Sequence, residues 1–191
     1  DNLSDREIVR RFNAGETSVF AELVRRHSGR AYQIAYGVLG SREDAEEVSQ
    51  DVFVRIYRSL SRFRGESEFT TWLYRIAMNL ARNKYRWNKS RGAKRSLSLE
   101  ESRENESQGG LGIQLPSNDP SPDREVGLAE FRKNVMAEMD KLPPLYREAL
   151  VLRNVEEMSY EDIAAVLDCK LGTIKSRIAR AREELRKRLE Q

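Results

Sequence analysis

Apolar residues recur along this chain every three to four positions, the spacing that gives an α-helix one buried face, and no segment alternates as a half-buried strand would. Ser4-Asp5-Arg6-Glu7 has the form of a capping box. It opens a first helix that carries Ile8, Val9 and Phe12 on its apolar side and ends near Gly15. A second helix is predicted over 18–39, built on Phe20, Leu23, Val24, Ala31, Ile34, Ala35 and Val38 and stopped by Gly40. Ser41 caps a third over 42–60, packed through Val48, Val52, Phe53, Ile56 and Tyr57. After a polar break over 61–67, a fourth runs over 69–87 with Phe69, Trp72, Leu73, Ile76, Ala77 and Leu80 on its buried side.

The periodicity then lapses. Residues 88–122 are rich in Ser, Gly, Asn and Pro, as a flexible linker is. Helices resume at 123, and Pro143-Pro144 separates a first from three more, over 145–152, 160–167 and 172–189. The expected fold class is therefore all-α: one helical domain over 1–87, a tether over 88–122 and a second domain over 123–191.

Ser159-Tyr160-Glu161-Asp162 caps a short helix with Ile163, Ala164, Val166 and Leu167 inside. A break at Asp168-Cys169-Lys170 leads to a helix whose stripe is Ile174, Ile178, Ala181, Leu185 and Leu189. Thr173, Ser176, Ala179 and Arg180 fall on its outer side, flanked by Lys175, Arg177 and Arg182. Small residues at the contact, a tight turn and a basic outer face in register describe a helix-turn-helix, whose second helix enters the major groove. The fourth helix carries a second polar face: Thr71, Arg75, Asn79, Arg82 and Arg86, with Asn83 beside them. Asn can bond a base edge and Arg a phosphate or a base plane, and the loop before them (Phe63, Arg64, Gly65, Ser67) suits capture of an unstacked base.

Charge sharpens this picture. The formal net charge is only +3, but seven Lys or Arg lie over 82–95 with no acid, and eight over 170–188 against Glu183 and Glu184. The intervening 100–125 is acidic, so two basic tracts flank an acidic spacer, as two contacts with one polyanion would require. With 39% hydrophobic and 34% charged residues the chain reads as folded, and no apolar run reaches the ~18 residues of a membrane span. No signal peptide is read at the N-terminus, and a reducing, cytoplasmic home is expected. One cysteine (Cys169) and one histidine (His27) exclude an intramolecular disulfide and a Cys/His zinc site. His27 reads as a structural or surface histidine, and the carboxylates of the third helix as a solvated or docking face. The expectation is no catalytic residue, no metal, no cofactor and no small-molecule substrate.

Phe63-Arg64-Gly65-Glu66-Ser67 followed by Thr70-Thr71-Trp72-Leu73-Tyr74-Arg75-Ile76-Ala77-Met78-Asn79 resembles the second conserved region of extracytoplasmic-function sigma factors, in the sigma-70 family. Asp44-Ala45-Glu46-Glu47-Val48-Ser49-Gln50-Asp51-Val52-Phe53 resembles the preceding helix of that region. Leu142-Pro143, Tyr146-Arg147, Ser159 to Ala164 and Gly172-Thr173-Ile174-Lys175-Ser176-Arg177 resemble the fourth region. The resemblance covers nearly the whole chain and implies an alternative sigma factor that binds core RNA polymerase, through its β′ and β subunits, and directs it to promoter DNA.

It further implies roles for single residues. Asp44, Glu47, Gln50, Asp51 and Phe53 are expected to dock on polymerase. Phe63, Arg64, Gly65, Ser67, Arg75, Asn79, Arg82, Asn83 and Arg86 are expected to serve −10 recognition and melting. Thr173, Lys175, Ser176, Arg177, Ala179, Arg180 and Arg182 are expected to read the −35 element. Many relatives are held by an anti-sigma factor, often membrane-anchored, which makes such a protein an expected partner. Ala179 stands where some relatives carry a larger side chain and Lys170 where Pro is frequent. A stand-alone helix-turn-helix regulator would share the C-terminal half but not the Asn/Arg face of the fourth helix. A nuclease or recombinase would need the clustered carboxylates or activated nucleophile that these helices lack.

Overall fold

A computed structural model describes residues 3–96 and 122–190, with eight α-helices and no strand among them. The helices are α1 (Asp5–Asn13), α2 (Phe20–Leu39), α3 (Arg42–Ser59), α4 (Phe69–Ser96), α5 (Pro122–Asp140), α6 (Pro144–Glu156), α7 (Tyr160–Leu167) and α8 (Leu171–Leu189). Single 3₁₀ turns at Thr17–Val19 and Leu60–Arg62 introduce α2 and terminate α3.

The punctuation residues act as their chemistry dictates. Ser4, Ser41 and Ser159 each accept a hydrogen bond from the backbone N–H three residues on, at Glu7, Asp44 and Asp162. The first box is not reciprocal, because the Glu7 carboxylate turns to Arg10 at 2.6 Å instead. Gly40 ends α2 in the left-handed region at φ +68°, which lacks a penalty only for glycine.

The first four helices close on Ile8, Leu23, Ile34, Val52, Ile56, Leu60 and Leu73, all fully buried. An aromatic cluster of Phe12, Phe20, Phe53 and Tyr57, mostly edge to face, pins α1 to α2 and α3. The last four helices share a smaller core of Leu142, Leu152, Ile163, Ile174, Ile178 and Ala181.

Two differences from the sequence reading bear on function. Helix α4 runs on to Ser96, nine residues into the stretch read as tether; the rest of that stretch up to 121 lies outside the described residues. At the start of this extension Asn88 donates to the Asp44 carboxylate at 2.7 Å, and Arg91 lies 4.4 Å over the Trp87 ring. Helix α4 is also buried more widely than its predicted stripe: Tyr74, Met78 and Ala81 are 4%, 1% and 0% exposed. The reason is that α4 is sandwiched, packing on α2 and α3 and also on α7, while α2 packs on α6.

Arg147 of α6 sits at the junction of the two groups of helices and is 2% exposed. It donates to the carbonyls of Met139 (2.9 Å), Asp140 and Val38 (3.2 Å) and to the Tyr85 hydroxyl (3.3 Å), and lies 4.6 Å over the Tyr85 ring. Val38 and Met139 lie in the last turns of α2 and α5, where carbonyls lack intrahelical donors. One guanidinium thus caps two helix ends.

Candidate nucleic-acid interface

Helix α7 ends at Asp168 in the left-handed region (φ +51°), and its N–H returns to the Ala164 carbonyl. The chain then restarts α8 at Leu171, with the Thr173 N–H bonding the Lys170 carbonyl at 2.9 Å. This is the tight turn of a helix-turn-helix. Ile174, Ile178 and Ala181 are 0%, 1% and 0% exposed and seat α8. Lys175, Ser176, Ala179, Arg180 and Arg182 are exposed, and Thr173 is half-buried. Arg177 is half-buried and turned toward the Cys169 sulfur at 3.8 Å. The Ser176 hydroxyl donates back to the Thr173 carbonyl, which fixes its rotamer.

The loop over 63–68 and the start of α1 enclose a cavity of about 400 Å³. Phe63, Arg64, Gly65 and Ser67 form one wall, and Asp5, Arg6 and Val9 form the other. Gly65 takes φ +72°, which allows the loop to fold over. The four loop residues named from sequence are therefore gathered in one wall, whereas Asn79 and Asn83 are exposed farther along α4, with Asn79 about 15 Å from its start at 1.5 Å per residue.

The α1 wall was not foreseen, and neither was its support. His27, 4% exposed, bonds Asp5 at 2.7 Å and lies 5.5 Å from the Phe69 ring, while Phe63 lies tilted against Trp72 with ring centres 4.9 Å apart. The partners in the His27–Asp5 bond are 22 positions apart, so no local pattern signals the pairing.

On α4, Asn79, Asn83 and Arg86 are exposed, but Arg75 and Arg82 are not free. Arg75 donates to the Ala165 carbonyl at 2.7 Å, and Arg82 grips both oxygens of Glu148 at 2.8 and 2.7 Å. The hydrogen bond from Arg82 to the Glu148 carboxylate raises the guanidinium's pKa above its ordinary value.

On α3, Gln50 and Asp51 are exposed, while Asp44 and Glu47 are met by Lys84 at 3.3 and 2.6 Å. The Glu47 hydrogen bond, with Asp44 adding to it, raises the Lys84 pKa. Phe53 is 8% exposed and packs edge-on to Phe20 beneath this acidic surface, where Val54 and Tyr57 are the exposed apolar groups. Among the described residues no group of three or more His, Cys, Asp or Glu is placed to hold a metal ion.

The family description "Sigma-70 region 2" matches residues 23–91, and "Sigma-70, region 4" matches residues 132–185. The chain belongs to the sigma-70 family. Its curated relatives narrow this to the extracytoplasmic-function branch. It is 37% identical to the ECF RNA polymerase sigma-E factor of Haemophilus influenzae, over 100% of this chain and 97% of that protein. It is 35% identical to the Escherichia coli (strain K12) sigma-E factor, covering 97% and 94%. It is 38% identical to the sigma factor SigE of Mycolicibacterium smegmatis over 86% of this chain, which spans 59% of that longer protein.

Two solved structures share the fold over nearly the whole chain. CnrH, in complex with the cytosolic domain of CnrY, is 26% identical with a TM-score of 0.69, covering 97% of both chains. The sigma factor RpoE of Bartonella quintana, in complex with the anti-sigma factor NepR, is 25% identical with a TM-score of 0.63, covering 90% of this chain and 96% of that one. The chain is an alternative sigma factor of a family whose members direct transcription initiation.

Proposed function

We propose that this sigma factor binds core RNA polymerase through the acidic surface of α3 and reads a two-part promoter. Its N-terminal domain, residues 1–87, recognises and melts the −10 element, with the cavity beside the 63–68 loop receiving one unstacked base and Asn79, Asn83 and the α4 arginines holding the adjoining strand. Its C-terminal domain, residues 123–191, reads the −35 element, with 88–122 joining the two. The observation that carries the reading is α8: three buried residues seat it, and Lys175, Ser176, Ala179, Arg180 and Arg182 are exposed along its outer side, as a helix entering a major groove requires.

The protein is a transcription initiation factor and not itself an enzyme. No helix among the described residues is long and apolar enough to cross a membrane, and the cytoplasm, where polymerase works, is its place of action. CnrH and RpoE were each solved in complex with a second protein, NepR being a named anti-sigma factor, and an anti-sigma factor, soluble or membrane-anchored, is the regulatory partner proposed here.

Abortive transcription on a promoter library with purified bacterial core polymerase tests the reading. Transcripts that depend on this protein and share two spaced motifs are expected. Tight binding to duplex DNA with neither core binding nor transcripts would point to a stand-alone regulator instead. Suppression of those transcripts by a candidate anti-sigma protein, but not by an unrelated one, tests the partner.

A further inference from the structure

Asp5 lines the cavity that the 63–68 loop closes, and two donors from α2 hold its carboxylate in place. We propose that Asp5 is a specificity residue for the unstacked −10 base, selecting one whose Watson–Crick edge carries an exocyclic amine, and that His27 is its positioning residue. The inference rests on the assignment of this cavity to a base and goes beyond it.

Helix α1 meets the cavity along one face, through Asp5 and Val9 and through Arg6 and Arg10, each pair one turn apart. Asp5 Oδ2 lies 2.7 Å from His27 Nε2 and Oδ1 lies 3.1 Å from Arg26 Nη1, yet the side chain keeps 22% of its exposure. An ionised carboxylate only accepts, so Nε2 is the donor, and each oxygen retains a lone pair for one more donor. A base amine is such a donor, as when Asp or Glu accepts from the amine of cytosine. Thymine presents a carbonyl in its place, which a carboxylate repels. The cavity of about 400 Å³ falls within the ~300–1,000 Å³ of small-ligand sites. On the opposite wall Phe63 supplies a ring for stacking.

His27 joins the two walls. Its ring, 4% exposed, lies 5.5 Å from Phe69, which in turn meets Phe63 edge-on at 6.1 Å. One buried imidazole therefore sets Asp5 and Phe63 relative to each other. Its Nδ1 is buried with no hydrogen-bond partner among the described residues, a cost that an apolar side chain in the same place would avoid. Glu68 is the other carboxylate on the cavity, but it is exposed and no hydrogen bond or ion pair fixes its side chain among the described residues. A fixed oxygen discriminates between bases better than a mobile one.

Holoenzyme assembled from purified core polymerase and the full chain is titrated with single-stranded −10 oligonucleotides of the promoter that library transcription yields. Each position is replaced in turn by an abasic site, by thymine, and by the same base without its amine: pyrimidin-2-one for cytosine, purine for adenine, hypoxanthine for guanine. One position is expected where an abasic site weakens binding and loss of the amine alone costs about tenfold. Asp5→Ala should cut that ratio to within about twofold. His27→Gln, whose amide nitrogen can replace Nε2 as donor, should keep the ratio, and His27→Phe should lose it. The ratio is taken within one protein, so a change in stability or polymerase affinity cancels, and the unmodified chain tests the amine without any substitution.

A preference for thymine at the penalised position, equal binding with and without the amine, or an unchanged ratio in Asp5→Ala overturns the role of Asp5. The same ratio in His27→Gln and His27→Phe overturns that of His27. Indifference to an abasic site at every position would remove the base-binding reading of the cavity, whereas failure to bind core polymerase would remove the sigma-factor reading itself.

Discussion

Arg147 is the residue on which most of the junction converges. Its guanidinium is buried, and its donors reach the ends of α2 and α5 and the Tyr85 hydroxyl, with Asp140 Oδ1 3.0 Å away as its ion partner. Lysine retains the charge but has three donors on one atom and no planar fork to serve carbonyls on two helices. Arg147→Lys should therefore cost about 3 kcal/mol, the scale of a buried charged network left partly unpaired. Thermal unfolding should show it as a fall in Tm on the order of 10 °C. A shift within a degree of the parent would mean that the carbonyls find other donors.

Glu22 behaves oppositely, as a surface group. The side-chain hydrogen bonds from Arg25 and then Arg26 hold its carboxyl down to about 2 from 4.5. A depressed folded-state value means that its stabilising contribution is full above about pH 4.5 and is lost as pH falls toward 2. The side chain remains 32% exposed, so solvent and salt screen the contribution. Glu22→Gln should lower stability slightly at pH 7, match the parent near pH 2 and flatten the decline between by that same small, screened amount, as followed by circular dichroism.

Among the helices, α8 and α4 show which parts of the molecule a sequence can announce. The burial of α8 follows its own period over the first three turns: of the stripe Ile174, Ile178, Ala181, Leu185 and Leu189, the first three are buried, Leu185 is half-buried and Leu189, in the last turn, is 41% exposed. The outward row is the complement of that stripe, and Arg180 lies in it, exposed and without an ion pair among the described residues. Arg180→Ala should weaken transcription from promoters that depend on −35 contacts by ~1–3 kcal/mol and relax preference at one base position. Titration against promoter variants checks this, and an unchanged preference would place Arg180 off the reading face.

For α4 the local period identified Phe69, Leu73 and Ala77 correctly but not Tyr74, Met78 and Ala81, because their burial comes from its sandwiched position and from partners remote in sequence. For the same reason Arg75 and Arg82 read as open to solvent or DNA, while Ala165 and Glu148 hold them. The α1 wall of the cavity is not legible in the sequence, because an Asp–His bond across 22 positions leaves no periodic trace. Asn79 stays exposed beside Arg82, with its Oδ1 3.5 Å from Nη1. Asn79→Ala should impair promoter melting while leaving polymerase affinity intact, and lost affinity would indicate a damaged fold.

At the scale of the whole molecule, the seam decides whether the chain behaves as one cooperative unit or two. Both tryptophans, Trp72 and Trp87, belong to α4, so indole fluorescence reports the N-terminal half alone, whereas far-ultraviolet circular dichroism reports every helix. With the domains joined through Arg82–Glu148, Arg147 and the Gly37–Val151 contact, the two signals should unfold together. Gly37→Ala sets two effects against each other. It favours α2 by about 0.5–1 kcal/mol, because alanine loses less backbone freedom than glycine in a helix. It also drives a methyl to 2.8 Å from Val151, whose branched side chain has little freedom to move aside. If the seam couples the domains, the clash uncouples them: the dichroism transition splits, and only one of its two steps coincides with fluorescence. A single shared transition in Gly37→Ala, shifted upward, would mean that the helix-propensity gain is all the substitution does and that the domains are not joined at this contact in solution.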